Sequence, residues 1–190
     1  MKPLTTSIIA GIHKNKRLRL PDLKTTRSSK SILKESFFNV LQYDIIDKVF
    51  VECFAGSGSI GLEALSRGAS KCYFIEQDKS SFDILRKNCA IDTEKTICIY
   101  GDSFVKTPQV LQQINTDKSI VLYIDPPFDD VVDGIYKKTF DMVENITNSD
   151  IYLVAFESQS DYDMPQTIGR YKHKKTKKFG KSSLVYYESI

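Results

Sequence analysis

Gly56, Gly58 and Gly61 form a G-x-G-x-x-G pattern directly behind the apolar run Val49-Phe50-Val51-Glu52-Cys53-Phe54 and ahead of a segment with helical periodicity. Small residues at such a strand-to-helix turn let the backbone approach a ligand closely and let the helix N-terminus pack near the strand. Neither Lys-Ser nor Lys-Thr follows, which excludes a P-loop. The next apolar run, Cys72-Tyr73-Phe74-Ile75, ends at Glu76, fifteen residues past Gly61. An acid there can accept hydrogen bonds from both hydroxyls of a ribose. To this point the pattern fits an adenosine-bearing cofactor, either a dinucleotide or S-adenosylmethionine.

Two later positions separate these options. Gly101-Asp102-Ser103 follows the third apolar run and offers an acid to the amino group of an adenine, and Asp125-Pro126-Pro127-Phe128 follows the fourth. Ligands of open parallel sheets bind beyond the carboxyl ends of the strands, and this tetrapeptide has a chemical rationale there. The amino group of a nucleobase is a poor nucleophile because its lone pair is delocalised into the ring. To attack a sulfonium methyl it must give up some of that conjugation while its N–H groups are held. Asp125 can accept one N–H and the Pro126 carbonyl another. Neither Pro126 nor Pro127 offers a competing donor, and their fixed φ angles pre-set the carbonyl direction. Phe128 supplies a flat apolar face for stacking a planar base, worth ~1–3 kcal/mol. Asp-Pro-Pro also serves as a plain strand-ending turn. Its order after the glycine turn favours the chemical reading, and a nicotinamide-dependent oxidoreductase would leave it unexplained.

The elements that must position these residues follow from periodicity. Strands are expected at Val49–Phe54, Lys71–Ile75, Thr96–Tyr100, Ile120–Ile124 and Ile151–Phe156, where β-branched and aromatic residues cluster. Helices are expected between them. Ser31 can cap one that carries Ile32, Leu33, Phe37, Phe38 and Leu41 on one face. Ile60–Arg67 stops at Gly68, a residue suited to the left-handed position that closes a helix. Ser80 with Asp83 resembles a capping box, and Thr107-Pro108 an N-cap with a first-turn proline. Tyr136, Phe140 and Val143 line a further helix. This alternation implies an α/β fold with a mainly parallel sheet covered on both faces. Lys174–Phe179 and Ser183–Glu188 flank Gly180-Lys181-Ser182 and predict a closing antiparallel hairpin.

Composition narrows the class. The chain has 190 residues, and its longest apolar run, Ile151-Tyr152-Leu153-Val154-Ala155-Phe156, is far short of the ~20 residues of a membrane span. No signal-peptide pattern is expected at the N-terminus. Cys53, Cys72, Cys89 and Cys98 sit in apolar segments without C-x-x-C spacing. Reduced thiols of a cytoplasmic protein are therefore expected rather than disulfides or zinc. His13 and His173 lack partners at ligand spacing and receive no role, and no metal is expected. Glu63 is read as part of a solvated helix face and Glu157 as a strand-end acid. The net charge of +3 hides an asymmetry: residues 1–34 carry +8, residues 162–190 carry +5 and the stretch between them −10. Two basic ends on an acidic body form a footprint for a polyanion if they lie together.

These residues resemble a known family, the bacterial 16S ribosomal RNA guanine-N2 methyltransferases that modify the guanine numbered 966. The likeness covers nearly the whole chain. It includes Ile8-Ile9-Ala10-Gly11, Lys34–Leu41, the stretch from Phe54 through Gly61 to Gly68-Ala69, the Asp125–Phe128 tetrapeptide and the Lys177-Lys178-Phe179-Gly180 hairpin. The Phe-Ala-Gly-Ser-Gly to Leu-Ser-Arg-Gly-Ala stretch is its most specific part. Two positions depart from the family pattern. Glu52 stands where Asp is usual, and Arg27-Ser28-Ser29-Lys30-Ser31 replaces Arg-Pro-Thr-x-Asp.

The resemblance implies a Rossmann-like, seven-stranded class I methyltransferase fold, with a basic RNA-facing extension at 1–30 and a single methyltransferase domain at 31–190. It implies S-adenosyl-L-methionine as donor and one guanine of 16S rRNA, or of a small-subunit particle, as acceptor. Glu52, Phe54, Gly56, Gly58, Gly61, Glu76, Asp102 and Ser103 would form the donor site. Asp125, Pro126, Pro127 and Phe128 would hold the target base. Lys14, Lys16, Arg17, Arg27, Lys177, Lys178 and Lys181 would meet RNA. A monomer is expected. The same features would also suit an amino-group methyltransferase acting on adenine in DNA or on a glutamine side chain, or a non-catalytic RNA-binding module on the same scaffold.

Overall fold

Uninterrupted β-branched and aromatic runs pair into a sheet whose residues alternate between two apolar faces. The computed structural model describes residues 4–21, 27–148 and 150–190. A small hairpin, β1 (Thr5–Ser7) and β2 (Arg17–Arg19), precedes α1 (Arg27–Leu41). Then follow β3 (Val49–Cys53), α2 (Ser59–Ser66), β4 (Lys71–Glu76), α3 (Lys79–Cys89), β5 (Thr96–Tyr100) and α4 (Ser103–Gln113). The chain continues through β6 (Ile120–Ile124), α5 (Ile135–Glu144), β7 (Ile151–Gln159), β8 (Thr167–Ile168), β9 (Tyr171–Phe179) and β10 (Ser182–Ser189).

The main sheet runs in the order β5-β4-β3-β6-β7-β10-β9-β8. The five strands from β3 to β7 are mutually parallel, and β10 pairs antiparallel with both β7 and β9. This is the expected α/β arrangement with its closing hairpin. It has one strand more than expected, because the two-residue β8 adds to the edge beside β9.

Every residue of β3 and of β6 is buried, as parallel strands covered on both faces require. Phe50, Phe74, Tyr123, Leu153 and Tyr186 meet Phe37 and Phe38 of α1, Leu62 of α2 and Leu85 of α3 on one face. Val51, Cys53, Leu122, Ile124, Val154 and Val185 meet Val110 of α4 and Tyr136 and Val143 of α5 on the other. Phe37 is the aromatic hub of the first layer, with ring centroids 4.8 Å from Tyr123 and 4.9 Å from Phe38. Edge-to-face pairs of this kind add ~0.5–1.5 kcal/mol beyond area burial.

The chain leaves β3 toward β4 and β5, then crosses back to place β6 on the other side of β3. The carboxyl ends of β3 and β6 therefore flank the point where the strand order reverses, the place where open α/β sheets form a crevice. Cys53 is paired with Ile124 across these strands, so the segments that follow them start side by side.

The basic N-terminal hairpin is fastened to the body by buried side chains. Ile8 and Leu18 join the first apolar layer. The backbone N–H groups of Ile9 and Ala10 donate to the two carboxylate oxygens of Glu63 at 2.7 and 3.0 Å. Lys34 Nζ, buried under the hairpin, donates to the Ser7 carbonyl at 2.9 Å. Burial pulls the Lys34 pKa below its usual value, against the opposing pull of Glu63. Glu63 is thus fully buried rather than on a solvated face. It receives Arg67 Nε at 2.7 Å as well.

Local helix signals are displaced in three places. Helix α1 starts at Arg27, ahead of Ser31. Helix α3 is capped by Asp78, whose carboxylate accepts the Ser81 N–H at 2.7 Å, so Ser80 lies inside the helix instead of capping it. Helix α4 is capped by Asp102, which leaves Thr107 and Pro108 within the helix. Among the described residues no helix is long and apolar enough to cross a membrane, and no group of three or more His, Cys, Asp or Glu is placed to hold a metal ion.

Candidate active site

The turn after β3 is built by close approach. Phe54 takes a left-handed φ of 56°, a conformation that costs a bulky side chain ~1–3 kcal/mol. It is held there by its N–H donating to Ser103 Oγ at 3.1 Å and by its ring packing edge-on to Phe104 at 5.4 Å. Ser103 is itself buried, so in this structure it supports the turn. A Cβ on Gly58 would stand 2.5 Å from Leu85, and one on Gly61 would stand 2.4 Å from Phe74 and 2.8 Å from Glu52 Oε2. Gly58 lets α3 lie flush on the turn, and Gly61 lets α2, of which it is part, lie flush on β3 and β4. Gly56 differs: its φ is 54° and a Cβ there would meet nothing within 4 Å. The apex of the turn therefore faces open space.

Glu76, at the end of β4, accepts the Gly56 N–H on Oε2 at 2.6 Å and the Asp78 N–H on Oε1 at 2.7 Å. Each oxygen keeps a second lone pair, so the carboxylate is fixed in direction and still able to accept hydroxyl hydrogens. Asp102, at the head of α4, accepts the Phe104 N–H on Oδ1 at 2.9 Å. The turn, Glu76 and Asp102 stand beyond the ends of β3, β4 and β5 in the order expected for an adenosine-bearing cofactor. An open apex beside an oriented carboxylate fits such a group.

Glu52 is the one acid of this set that lies beneath the turn. Its Oε2 receives the Gly61 N–H at 2.7 Å. Burial raises its pKa to about 8, with a smaller push from the Asp125 carboxylate, against the hydrogen bonds from Gly61 and Ile60.

Beside the turn, Asp125 follows β6, its N–H 3.5 Å from the Cys53 carbonyl. Asp125 is half-buried, Pro126 buried, Pro127 exposed and Phe128 half-buried. The Phe128 carbonyl accepts the N–H groups of Val131 and Val132 at 2.9 and 3.0 Å. Asp129 Oδ1 accepts the Tyr136 N–H at 3.0 Å, at the head of α5. The tetrapeptide is thereby tied at both ends, to β3 before it and to α5 after it. Below it Tyr123 Oη donates to Glu157 Oε1, both side chains buried. β7 runs on to Gln159, past the expected end at Phe156, so Glu157 is a buried acid within the strand, paired with Leu184 of β10, rather than a strand-end acid. It follows Phe156, the β7 partner of Ile124, and so lies lateral to Asp125.

The basic candidates fall on two hairpins that both touch α1. Lys14, Lys16 and Arg17 are exposed at β2 and the turn before it. Lys178 and Lys181 are exposed at the tip of the β9–β10 hairpin, while Lys177 is half-buried and donates to Ser36 Oγ of α1 at 3.2 Å. The Arg27 side chain lies outside the described residues. Asn88 was not apparent from the sequence. It is a buried amide on α3 whose Nδ2 donates to the carbonyls of Ser57 and Arg19, and whose Oδ1 accepts the Arg19 N–H, all at 2.9 Å. The signal for it was an amide continuing the apolar face of Phe82, Leu85 and Cys89.

Comparison with known proteins follows the same lines. The family described as conserved hypothetical protein 95 matches residues 6–188. Ribosomal RNA small subunit methyltransferase D of Escherichia coli strain K12 is 30% identical over 182 residues, covering 95% of this chain and 88% of that protein. Among solved structures, the Escherichia coli protein yhhF superposes with a TM-score of 0.79 at 28% identity, over 97% of this chain and 98% of that one. The Haemophilus influenzae protein HI0767 superposes with a TM-score of 0.75 at 27% identity, over 98% and 99%. With a family match over nearly its whole length and a relative of this likeness, the chain belongs to the conserved hypothetical protein 95 family, that of ribosomal RNA small subunit methyltransferase D.

Proposed function

We propose that this protein is an S-adenosylmethionine-dependent methyltransferase that methylates the exocyclic N2 of a guanine in 16S ribosomal RNA. The observation that carries the reading is the placement of Asp125: it emerges from β6 beside the end of β3, at the reversal of strand order and next to the glycine turn. The family supplies the polynucleotide, since the relative named above is by name a ribosomal RNA methyltransferase. The basic hairpins at β2 and β9–β10 supply charge for such a substrate. In this reading residues 1–30 are the RNA-facing extension and 31–190 the catalytic body, working as a cytoplasmic monomer.

Gly56 brings backbone close to the methionine part of the donor, with Gly58 and Gly61 packed behind it rather than facing the ligand. Glu76 holds the ribose and Asp102 the adenine edge. Glu52 and Ser103 act from below, on α2 and on Phe54. When bound, the donor supplies an electrophilic methyl group on a sulfonium. Asp125 accepts one N–H of the target amine and the Pro126 carbonyl the other, so the nitrogen lone pair turns away from the ring and toward the methyl. Phe128 stacks on the base. Alignment of two bound reactants contributes ~7–11 kcal/mol, so neither a strong base nor a metal ion is called for. The proton leaves the nitrogen after transfer, to Asp125 or to water.

The test is mass mapping of 16S rRNA from cells lacking the gene, with transfer of labelled methyl by the purified protein to that RNA and to small-subunit particles. A missing monomethylguanine, restored by the protein, is the expected result. Methylation of adenine or of a protein glutamine instead would replace the acceptor while keeping the donor site.

A further inference from the structure

A cleft of about 500 Å³ opens between β2 and the end of α3. Its walls carry Lys16, Arg17 and Arg19 from the hairpin side and Lys87 from the helix, and among the described residues no acid lines it. All four cations are exposed. None is engaged in an ion pair among the described residues, although Asp83 of the same helix lies within electrostatic range of Lys87. Leu18, between the two arginines, points inward and is buried in the core. Arg17 and Arg19 therefore share the outward face of the strand, about 7 Å apart along it.

The cleft is held rigidly against the cofactor turn. Asn88, in its floor, joins both backbone groups of Arg19 to the Ser57 carbonyl through three hydrogen bonds of 2.9 Å. Ser57 lies between Gly56 and Gly58. One buried side chain thus sets the distance from the cationic strand to the turn, and Leu85 of the same helix packs where a Gly58 side chain would be.

We propose that this cleft is a docking site for the sugar-phosphate backbone of the RNA substrate. Arg19 and Lys87 act there with Lys16 and Arg17 as phosphate contacts, at a register from the donor turn that Asn88 fixes. The proposal rests on the RNA-methylating function above and names where one stretch of that RNA lies. A wall lined by cations suits a polyanion, and their exposed guanidinium and ammonium groups suit phosphate oxygens. Backbone contacts of this kind orient a nucleic acid without reading its sequence.

The experiment measures binding of a 16S rRNA transcript at several salt concentrations for the wild type, Lys87→Glu and the double variant Arg19→Ala/Lys87→Ala. Binding of S-adenosylhomocysteine is measured separately. The substituted side chains are exposed, so the variants should fold. The expected result is RNA affinity at least about tenfold weaker for Lys87→Glu. For the double variant the slope of log K against log salt should become shallower by about 1.4, since each of the two lost phosphate contacts on a single strand removes ~0.7. S-adenosylhomocysteine affinity should not change. Unchanged RNA affinity and slope in both variants would overturn the cleft while leaving the methyltransferase reading intact. A wild type that binds S-adenosylhomocysteine but neither the transcript nor small-subunit particles would overturn both the cleft and the choice of RNA as acceptor.

Discussion

The Gly61 N–H donates to Glu52 Oε2, so a strand side chain supplies the acceptor that the head of α2 lacks. The cap residue of that helix is Gly58, which has no side chain to offer, and helix N-termini leave several N–H groups without partners. Glu52 fills this role from beneath while burial keeps its carboxyl protonated up to about pH 8. A raised carboxyl pKa means the folded state binds more protons than the unfolded chain between the ordinary glutamate value and about 8. Stability from this group is therefore full at acid pH, falls as pH rises through that window and levels off above it. The variant Glu52→Gln keeps an acceptor for Gly61 and removes the titration. Its melting temperature should fall less than that of the wild type between pH 5 and pH 8, as scanning calorimetry across that range would show.

Asp125 stands where the acceptor amine must be held. Asp125→Ala should lower methyl transfer to 16S rRNA by at least about 100-fold, the scale of losing one preorganised charged hydrogen-bond partner. Titration calorimetry with S-adenosylhomocysteine should give a Kd within about threefold of wild type, because the turn and Glu76 are untouched. Transfer near the wild-type rate would remove Asp125 from the mechanism.

Gly61 has an ordinary backbone conformation, so its substitution isolates packing. Gly61→Ala places a methyl against the Phe74 ring and the Glu52 carboxyl. Overpacking of this kind costs about 1–3 kcal/mol. Urea denaturation should show a lower midpoint with an unchanged slope.

Glu63 gathers two backbone N–H groups of the hairpin, Arg67 and, at 3.8 Å, Lys34. Glu63→Ala strands two buried or half-buried cations and two amides, which should cost on the order of 3–5 kcal/mol. Hydrogen exchange should quicken first at Ile9 and Ala10, ahead of the β3 amides.

The sequence was most legible where one kind of pressure acts alone. Thr96–Tyr100 and Ile120–Ile124 have the same limits in the sequence reading and in the structure, because both runs consist almost wholly of β-branched, aromatic and other apolar residues that suit a pleated strand, at the sheet edge as in its centre. The glycine turn and the tetrapeptide were legible because Gly58 and Gly61 stand where no side chain fits, while Pro126 and Pro127 fix the backbone in a way few other residues do. The caps were not. Ser80 and Thr107 carry good local signals, yet Asp78 and Asp102 come earlier, each directly at a strand exit, and start the helices sooner. Glu63 was misread because its hairpin partners lie more than fifty residues away, and helical periodicity cannot register such partners. The same is true of Asn88 and Arg19.

The thiols of Cys53 and Cys72 lie directly under this architecture. Cys53 Sγ is 3.1 Å from Thr107 Oγ1, and Cys72 Sγ donates to the Gly61 carbonyl at 3.2 Å. Burial pushes the Cys53 pKa up to about 12 and that of Cys72 well above the ordinary thiol range. Both sulfurs stay protonated and shielded, hence unreactive toward disulfide reagents and alkylators. Their modification requires β3 or β4 to open, which makes the rate of labelling at these two positions a chemical clock for breathing of the strands beneath the glycine turn.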